Sequence, residues 1–129
     1  MFIIIQNPIH KEVMKMGTEL IDRRIRKTRK QLKDCLISLL KTKRIQDITV
    51  RELTEMADLN RGTFYLHYKD VFDLLEQTET ELLGKLNSVI QKHRAEELLD
   101  RPFNIFHEVY TLVYENASLV EILLGEMEI

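Results

Sequence analysis

The sequence predicts an all-α fold that begins with a three-helix helix-turn-helix domain and continues into further helices. The chain has 129 residues, which suffices for one domain or two small ones, and 44% of them are hydrophobic. Only four residues are Gly and two are Pro, so residues that break helices are sparse. Helix start signals recur along the chain and are followed by apolar residues at helical spacing.

The first predicted helix follows an N-terminal extension, residues 1–18. The apolar run at residues 2–5 is too short for a membrane span and lacks the basic region of a signal peptide. Two interpretations stay open: a native extension, or an over-extended start, because Met14 and Met16 lie nearer to the rest of the domain. The apolar side of the first helix comprises Leu32, Cys35, Leu36, Leu39 and Leu40.

A second predicted helix spans residues 50–57 and has its own start signal. Thr49 and Glu52 have capping-box spacing, in which each side chain accepts a hydrogen bond from the amide of the other residue. Asp58 follows at the point where the chain must reverse, and Asp tolerates left-handed backbone geometry better than most residues. A tight turn is therefore predicted before the next helix.

A third predicted helix spans residues 61–68, with Asn60 as its N-cap. At 100° per residue, Phe64 and Tyr68 share the side that faces the core. A helix of eight residues is about 12 Å long and fits the major groove of DNA. The two helices and their turn predict a DNA-binding helix-turn-helix, with a helical hairpin inside an ordinary all-α core as the alternative.

The opposite side of this third helix carries side chains that suit a DNA surface. Gly62 lets the backbone approach a phosphate or a base. Lys69 adds a positive charge, and Tyr65 and His67 can donate to phosphate oxygens. Leu66 has no core to join on this side, but it can contact a thymine methyl group.

The stretch TFYLHYKDVFDLLEQ resembles the signature of the TetR/AcrR family of bacterial transcriptional regulators. The preceding stretch, RIRKTRKQLKDCLISLLKTKRIQDITVRELTEMADLN, is similar to the first two helices of that family. The resemblance implies a TetR-type DNA-binding domain at residues 19–70. It also implies that residues 71–129 form a partial helical regulatory domain, a dimerisation region that is incomplete relative to the family.

The resemblance further implies which side chains contact DNA. Thr49 and Arg51, at the start of the second helix, match phosphate or base contacts. The recognition-helix contacts correspond to Arg61, Gly62, Thr63, Tyr65, Leu66 and His67. Val71 departs from the family pattern, because many members carry a Lys there that meets a backbone phosphate. Lys69, similar to a basic residue that follows the motif in many members, is then left to supply that contact.

Charge is distributed asymmetrically along the chain. Residues 1–70 contain 15 Lys and Arg against 9 Asp and Glu, a balance of +6, and residues 71–129 contain 4 against 12, a balance of −8. A basic half beside an acidic half suits a DNA-binding domain joined to a domain that stays off DNA. The densest basic run is either a solvated helix face or a phosphate contact, and it comprises Arg23, Arg24, Arg26, Lys27, Arg29 and Lys30.

The second half is predicted to contain three helices. Asp70 and Asp73 mark the start of the first, which runs to about His93. Its apolar stripe comprises Phe72, Leu75, Leu82, Leu86, Val89 and Ile90. The next begins near Pro102, and its aromatic face comprises Phe103, Phe106, Tyr110, Val113 and Tyr114. We expect this face to pack in the core, with an effector pocket as the alternative, and Asn116 to cap a last helix that ends at Gly125.

Neither an enzyme nor a metal or cofactor site is expected, because no catalytic arrangement of side chains can be discerned. The four histidines lack the spacing of metal ligands, and Cys35 is the only cysteine. We interpret Cys35 as a reduced core thiol. The expected location is the cytoplasm, without attachment to a membrane.

The sequence therefore predicts a transcriptional regulator that binds double-stranded operator DNA as a homodimer, and that is open to control by a small-molecule effector. In a simple two-fold dimer the recognition helices lie about 34–36 Å apart, one turn of DNA. The alternative is a TetR-like adaptor that acts mainly through protein–protein contacts. Val71 and the apolar faces of the second half favour that alternative.

Overall fold

In the computed structural model, the described residues are 8–93 and 95–127, and they form α-helices and one 3₁₀ turn without any strand. The helices are α1 Pro8–Leu40, α2 Val50–Ala57, α3 Arg61–His67, α4 Val71–Lys92, α5 Ala95–Asp100, α6 Pro102–Glu115 and α7 Ala117–Met127, and the 3₁₀ turn is Ile45–Asp47. The predicted all-α fold is confirmed for this part of the chain. The apolar run at residues 2–5 lies outside the described residues.

One hydrophobic core holds the first four helices together. Each of α1 to α4 contributes to its centre, which consists of five side chains without solvent exposure: Leu32, Leu36, Leu53, Phe64 and Leu74. Cys35 is partly buried at the edge of this core. Burial, followed by the negative charge of Asp34, raises the pKa of the Cys35 thiol, so the thiol stays protonated at neutral pH.

Helix α1 is continuous across residue 18, so no break in the helix marks the end of the predicted N-terminal extension. Residues 8–27 are exposed, apart from His10, which is half-buried. At 1.5 Å per residue this segment is about 30 Å long. Among the described residues, no helix combines the length and the apolar character that a membrane span requires.

The start of α4 is capped as predicted, but its buried stripe differs from the predicted one. The side chain of Asp70 accepts from the amide of Asp73 at 2.7 Å, and Asp73 accepts from the amide of Lys69 at 2.8 Å. The buried residues of α4 are Val71, Leu74, Leu75, Thr78 and Leu82. Phe72 is 55% exposed, because the core lies on the side of Val71 and Leu74.

The C-terminal helices bury little apolar surface. Ile105 of α6 and Leu119 of α7 are the buried hydrophobic residues within residues 95–125.

The limits of the C-terminal helices differ from the predicted ones. The sequence does not predict helix α5, since its six residues carry no N-cap signal. The predicted N-cap role of Asn116 is wrong, because the side-chain amide of Asn116 donates to the carbonyl of Leu112 in α6 at 2.9 Å. Helix α7 also continues through Gly125.

The aromatic face of α6 is exposed, so the prediction that it packs in the core is wrong. This α6 aromatic face comprises Phe103, Phe106, Tyr110, Val113 and Tyr114, all of which are exposed. The rings of Tyr110 and Tyr114 stack on each other with centroids 6.2 Å apart. The described helices pack on the other side of α6, through Ile105, and leave this face uncovered.

His93 joins the C-terminal end of α4 to α5 and α6. Its Nδ1 lies 3.2 Å from a carboxylate oxygen of Glu97, and its Nε2 lies 3.0 Å from one of Glu108. Lys92 also donates to Glu108, at 3.1 Å. Because both ring nitrogens face carboxylates, which only accept hydrogen bonds, these contacts stabilise the protonated ring, in which both nitrogens donate. The hydrogen bond between His93 and Glu108 is the main cause of both pKa shifts: it raises the pKa of His93 and lowers the pKa of Glu108.

We predict that this junction loosens as the pH rises. Folding raises the pKa of His93 above its ordinary value of 6.5. The protonated ring therefore contributes its full share to the free energy of unfolding below about pH 6.5. That contribution is lost as the pH rises through the raised pKa. Replacing His93→Gln should therefore lower the thermal unfolding midpoint at about pH 6 and change it much less at about pH 9.

The matched control is His107→Gln, since His107 lies on α6 outside this junction and stacks on the ring of Phe103. Calorimetric midpoints of the control should follow those of the unaltered protein over the same pH range. If His93→Gln destabilises the protein equally at both pH values, the protonated junction is not a source of stability.

Candidate nucleic-acid interface

The turn between α2 and α3 depends on the left-handed backbone of Asp58. Asp58 has φ 55° and ψ 48°, and it is the one non-glycine residue with positive φ in the described part of the chain. The amide of Leu59 donates to the carbonyl of Thr54 at 2.9 Å, which closes the C-terminal end of α2. The predicted reversal at Asp58 is confirmed.

Both helices of the helix-turn-helix begin at the predicted N-caps. The hydroxyl of Thr49 accepts from the amide of Glu52 at 3.1 Å, and the side chain of Asn60 accepts from the amide of Thr63 at 2.9 Å. The reciprocal half of the predicted capping box is wrong. The carboxylate of Glu52 instead accepts from Lys43 at 2.6 Å, which ties the loop after α1 to the first turn of α2.

Helix α3 has one buried side and one exposed side. Phe64 is fully buried and Tyr68, which ends the helix, is 5% exposed, with ring centroids 5.7 Å apart. On the outer side, Leu66 is 83% exposed and Tyr65 is 51% exposed. The ring of Tyr65 meets that of Phe64 edge-on at 5.4 Å, so Tyr65 is supported by the core while its outer part faces solvent. The predicted division of the helix into two sides is confirmed.

The predicted DNA contacts are accessible to different degrees. Thr63 and His67 are half-buried, and the exposed ones are Thr49, Arg51, Arg61, Gly62, Tyr65, Leu66 and Lys69. A Cβ atom on Gly62 would meet the side-chain oxygen of Asn60 at 3.4 Å, which is ordinary contact, and Gly62 has no positive φ. The fold itself therefore does not require glycine at this position.

Arg51, a predicted DNA contact, and Val71, which stands where many family members carry a phosphate-binding Lys, occupy different environments. Arg51 donates to Glu55 one turn later, at 3.0 Å, and both side chains are exposed. Such an exposed pair contributes little stability, so the guanidinium can exchange Glu55 for a phosphate. Val71 is buried in the core. It cannot reach DNA, which leaves exposed Lys69 as the cation at this junction.

Arg29 makes a contact that was not predicted from the sequence. Its Nε donates to Nδ1 of His67 at 3.3 Å, and its guanidinium carbon lies 5.8 Å from the ring centroid of Tyr68. Arg29 thereby connects α1 to the C-terminal end of α3. The two residues are 38 positions apart, and no periodicity relates them, so the sequence carries no signal for this pairing. Burial, followed by the charge of Arg29, lowers the pKa of His67.

The chain is 31% identical over 98 residues to the uncharacterized HTH-type transcriptional regulator YxbF of Bacillus subtilis strain 168. The matched region covers 74% of this chain and 26% of the relative, so the chain spans about a quarter of that protein's length. Neither a protein-family model nor a solved structure matches the chain. That relative is an HTH-type regulator, and this chain has two short helices, α2 and α3, joined by a tight turn.

We predict that residue 58 tolerates glycine but not a branched side chain. Asp58→Val should lower the free energy of unfolding by about 1–2 kcal/mol, because left-handed backbone is costly for residues with a crowded Cβ. Asp58→Gly should not lower it, since glycine adopts positive φ without steric cost. Urea denaturation of the two variants measures the difference, and equal stability of both would show that the turn does not depend on this backbone conformation.

Proposed function

We propose that the chain is a TetR-type transcriptional regulator that binds operator DNA through the outer side of α3. The observation that carries this proposal is the exposure of Leu66 on a short helix whose inner side is anchored by Phe64. A leucine that is 83% exposed buries little surface in this fold, whereas the thymine methyl groups of the major groove offer it an apolar contact. The similarity to an HTH-type regulator supports the same class of function.

The side chains around Leu66 supply the other interactions that a groove requires. Arg61, at the start of α3, brings donors for a guanine edge or a phosphate. Gly62 lets the helix backbone come close to the DNA, and the hydroxyl of Tyr65 donates to a phosphate oxygen. Arg51 lies at the start of α2, and Lys69 lies just beyond α3. Each adds a positive charge for the DNA backbone on its side of the groove.

The exposed N-terminal part of α1 supports a further phosphate contact. The basic run, residues 23–30, lies where this exposed part meets the core, and Arg29 reaches α3 from it. We propose that this part of α1 lies along the phosphate backbone beside the groove that α3 enters. Each phosphate that the run neutralises steepens the logarithmic dependence of affinity on salt by about one unit.

We further propose that two copies bind a near-palindromic operator. The α6 aromatic face supports this, because contiguous exposed apolar surface of this kind marks a protein–protein contact. In a two-fold dimer the α3 helices would lie about 34–36 Å apart. The region formed by α4 to α7 is also where a small-molecule effector would bind. A regulator of this type acts in the cytoplasm and carries out no catalysis.

The same α6 aromatic face favours a second candidate, a TetR-like adaptor that acts mainly through another protein. Burial of Val71 in place of a phosphate-binding Lys is consistent with weaker DNA binding. Affinity purification from cell extract distinguishes the two candidates. Recovery of DNA without a stable protein partner counts against the adaptor.

The regulator is tested by selecting duplexes from a random pool with the full chain and measuring affinity for the selected duplex against salt. We expect a near-palindrome and steep salt dependence. Tyr65→Ala should lower affinity for that duplex about tenfold or more, equivalent to about 1.4 kcal/mol. The thermal unfolding midpoint should stay close to the original, since half of the ring is exposed. Failure to enrich any duplex at low salt would overturn the proposed function.

We also predict that Gly62→Ala separates stability from DNA binding. It should raise the free energy of unfolding by about 0.5–1 kcal/mol, because alanine is the better helix former, yet weaken binding by placing a methyl group between α3 and DNA. Gly84→Ala is the matched control, since a Cβ there meets nothing within 4 Å. It should give a similar gain in stability without a change in affinity. Equal affinities of the two variants would contradict the placement of α3 against DNA.

A further inference from the structure

The bond between Arg29 and His67 determines which ring nitrogen of the histidine carries a proton. An arginine side chain has only donors, so Nδ1 of His67 accepts the bond from Nε of Arg29 at 3.3 Å. A neutral imidazole has one donor and one acceptor. The proton of the neutral ring therefore lies on Nε2, the nitrogen that Arg29 does not occupy.

We infer that Arg29 is a positioning residue for DNA binding, which holds His67 as the Nε2–H tautomer and directs this N–H to a phosphate oxygen. The inference rests on the proposed function, because it deepens the role of a side chain in the same interface. Arg29 acts through His67 and does not itself have to touch DNA.

Arg29 is itself held in place by the core. Its guanidinium lies 5.8 Å from the ring centroid of Tyr68, and that ring is 5% exposed. A cation over an aromatic face is attracted to it, and the buried ring cannot move away. The core thus fixes Tyr68, Tyr68 orients Arg29, and Arg29 orients His67 at the C-terminal end of α3.

The charges around the pair favour a neutral histidine. Arg29 is the charged group that faces the ring from α1, while Asp73 and Glu81 of α4 act on Tyr68. Burial and then the positive charge of Arg29 lower the pKa of His67. In the neutral ring, the choice of tautomer decides whether Nε2 donates or accepts a hydrogen bond.

Two neighbouring cations of α1 pair with carboxylates, unlike Arg29. Lys30 pairs with Asp34 one turn later at 3.0 Å, and Lys33 pairs with Glu81 of α4. Arg26 is exposed and lies on the same groove between α1 and α4 as Arg29. Arg26 therefore serves as a control for the loss of one positive charge in this region.

The first test measures the tautomer and the pKa of His67 in the full chain by nitrogen NMR of its ring. The unaltered protein should show the Nε2–H tautomer. Arg29→Met should increase the minor Nδ1–H fraction toward that of a free imidazole and raise the pKa, because the donor to Nδ1 and the repulsion from the cation are gone, whereas Arg26→Met should change neither. An Nδ1–H tautomer in the unaltered protein, or an unchanged ring in Arg29→Met, would overturn the inference.

The second test is a double-mutant cycle on affinity for the duplex selected by the unaltered chain. Arg29→Met should lower affinity about five- to tenfold, the effect of losing one directed hydrogen bond. In the His67→Ala background the same change should have an effect below about twofold, because the side chain that Arg29 positions is already absent. Arg26→Met should have the same effect in both backgrounds.

A direct phosphate contact by Arg29 predicts different results from positioning through His67. The loss from Arg29→Met would then be equal in both backgrounds, and the salt slope would fall by about one unit. That outcome overturns the inference while the proposed function stands, whereas an unaltered chain that selects no duplex overturns both. If Arg29→Met lowers the unfolding midpoint, Arg29→Lys replaces it in the cycle, since it keeps the charge but lacks the fixed fork of donors.

Discussion

Phe64 has no exposed surface and belongs to the same buried cluster as the leucines of α1, α2 and α4. A helix of seven residues has little stability of its own, because helix nucleation is costly and few hydrogen bonds repay it. Burial of this ring contributes about 2 kcal/mol and fixes the rotation of α3 about its axis. Once that rotation is set, Leu66 must face solvent, since it lies 200° further round the helix. The exposed side of α3 is thus a geometric consequence of one buried side chain.

Local signals made the helix-turn-helix predictable. Thr49 and Asn60 each accept from the amide three positions ahead, and Asp58 adopts a conformation that few other residues tolerate, so each acts within a span of four residues. The sequence therefore predicts the limits of α2 and α3 to within a residue. The buried face of α4 was predicted less well, because periodicity alone does not decide between Val71 and Phe72. That choice depends on where the core lies.

Contacts between distant residues were not predictable. Arg29 could be recognised as part of a basic run, but its bond with His67 depends on the angle at which α1 crosses α3. Asn116 has the chemistry of an N-cap, and the sequence predicts that role. Its side chain instead donates to the preceding helix, α6, because a side-chain amide can bond to either neighbouring helix. The three ion pairs among Lys92, His93, Glu97 and Glu108 likewise form only after α4, α5 and α6 have packed.

The long exposed segment of α1 behaves differently from the core to which it is joined. Residues 8–27 make few tertiary contacts, so their helical hydrogen bonds are sustained mainly by local interactions. Amide hydrogens there should exchange with solvent through local opening, at rates far above those of the leucines at the other end of the same helix. One uninterrupted helix therefore contains two thermodynamic units. A protease would therefore cleave the exposed N-terminal unit of α1 long before the unit that packs in the core, although the backbone of the helix is continuous between them.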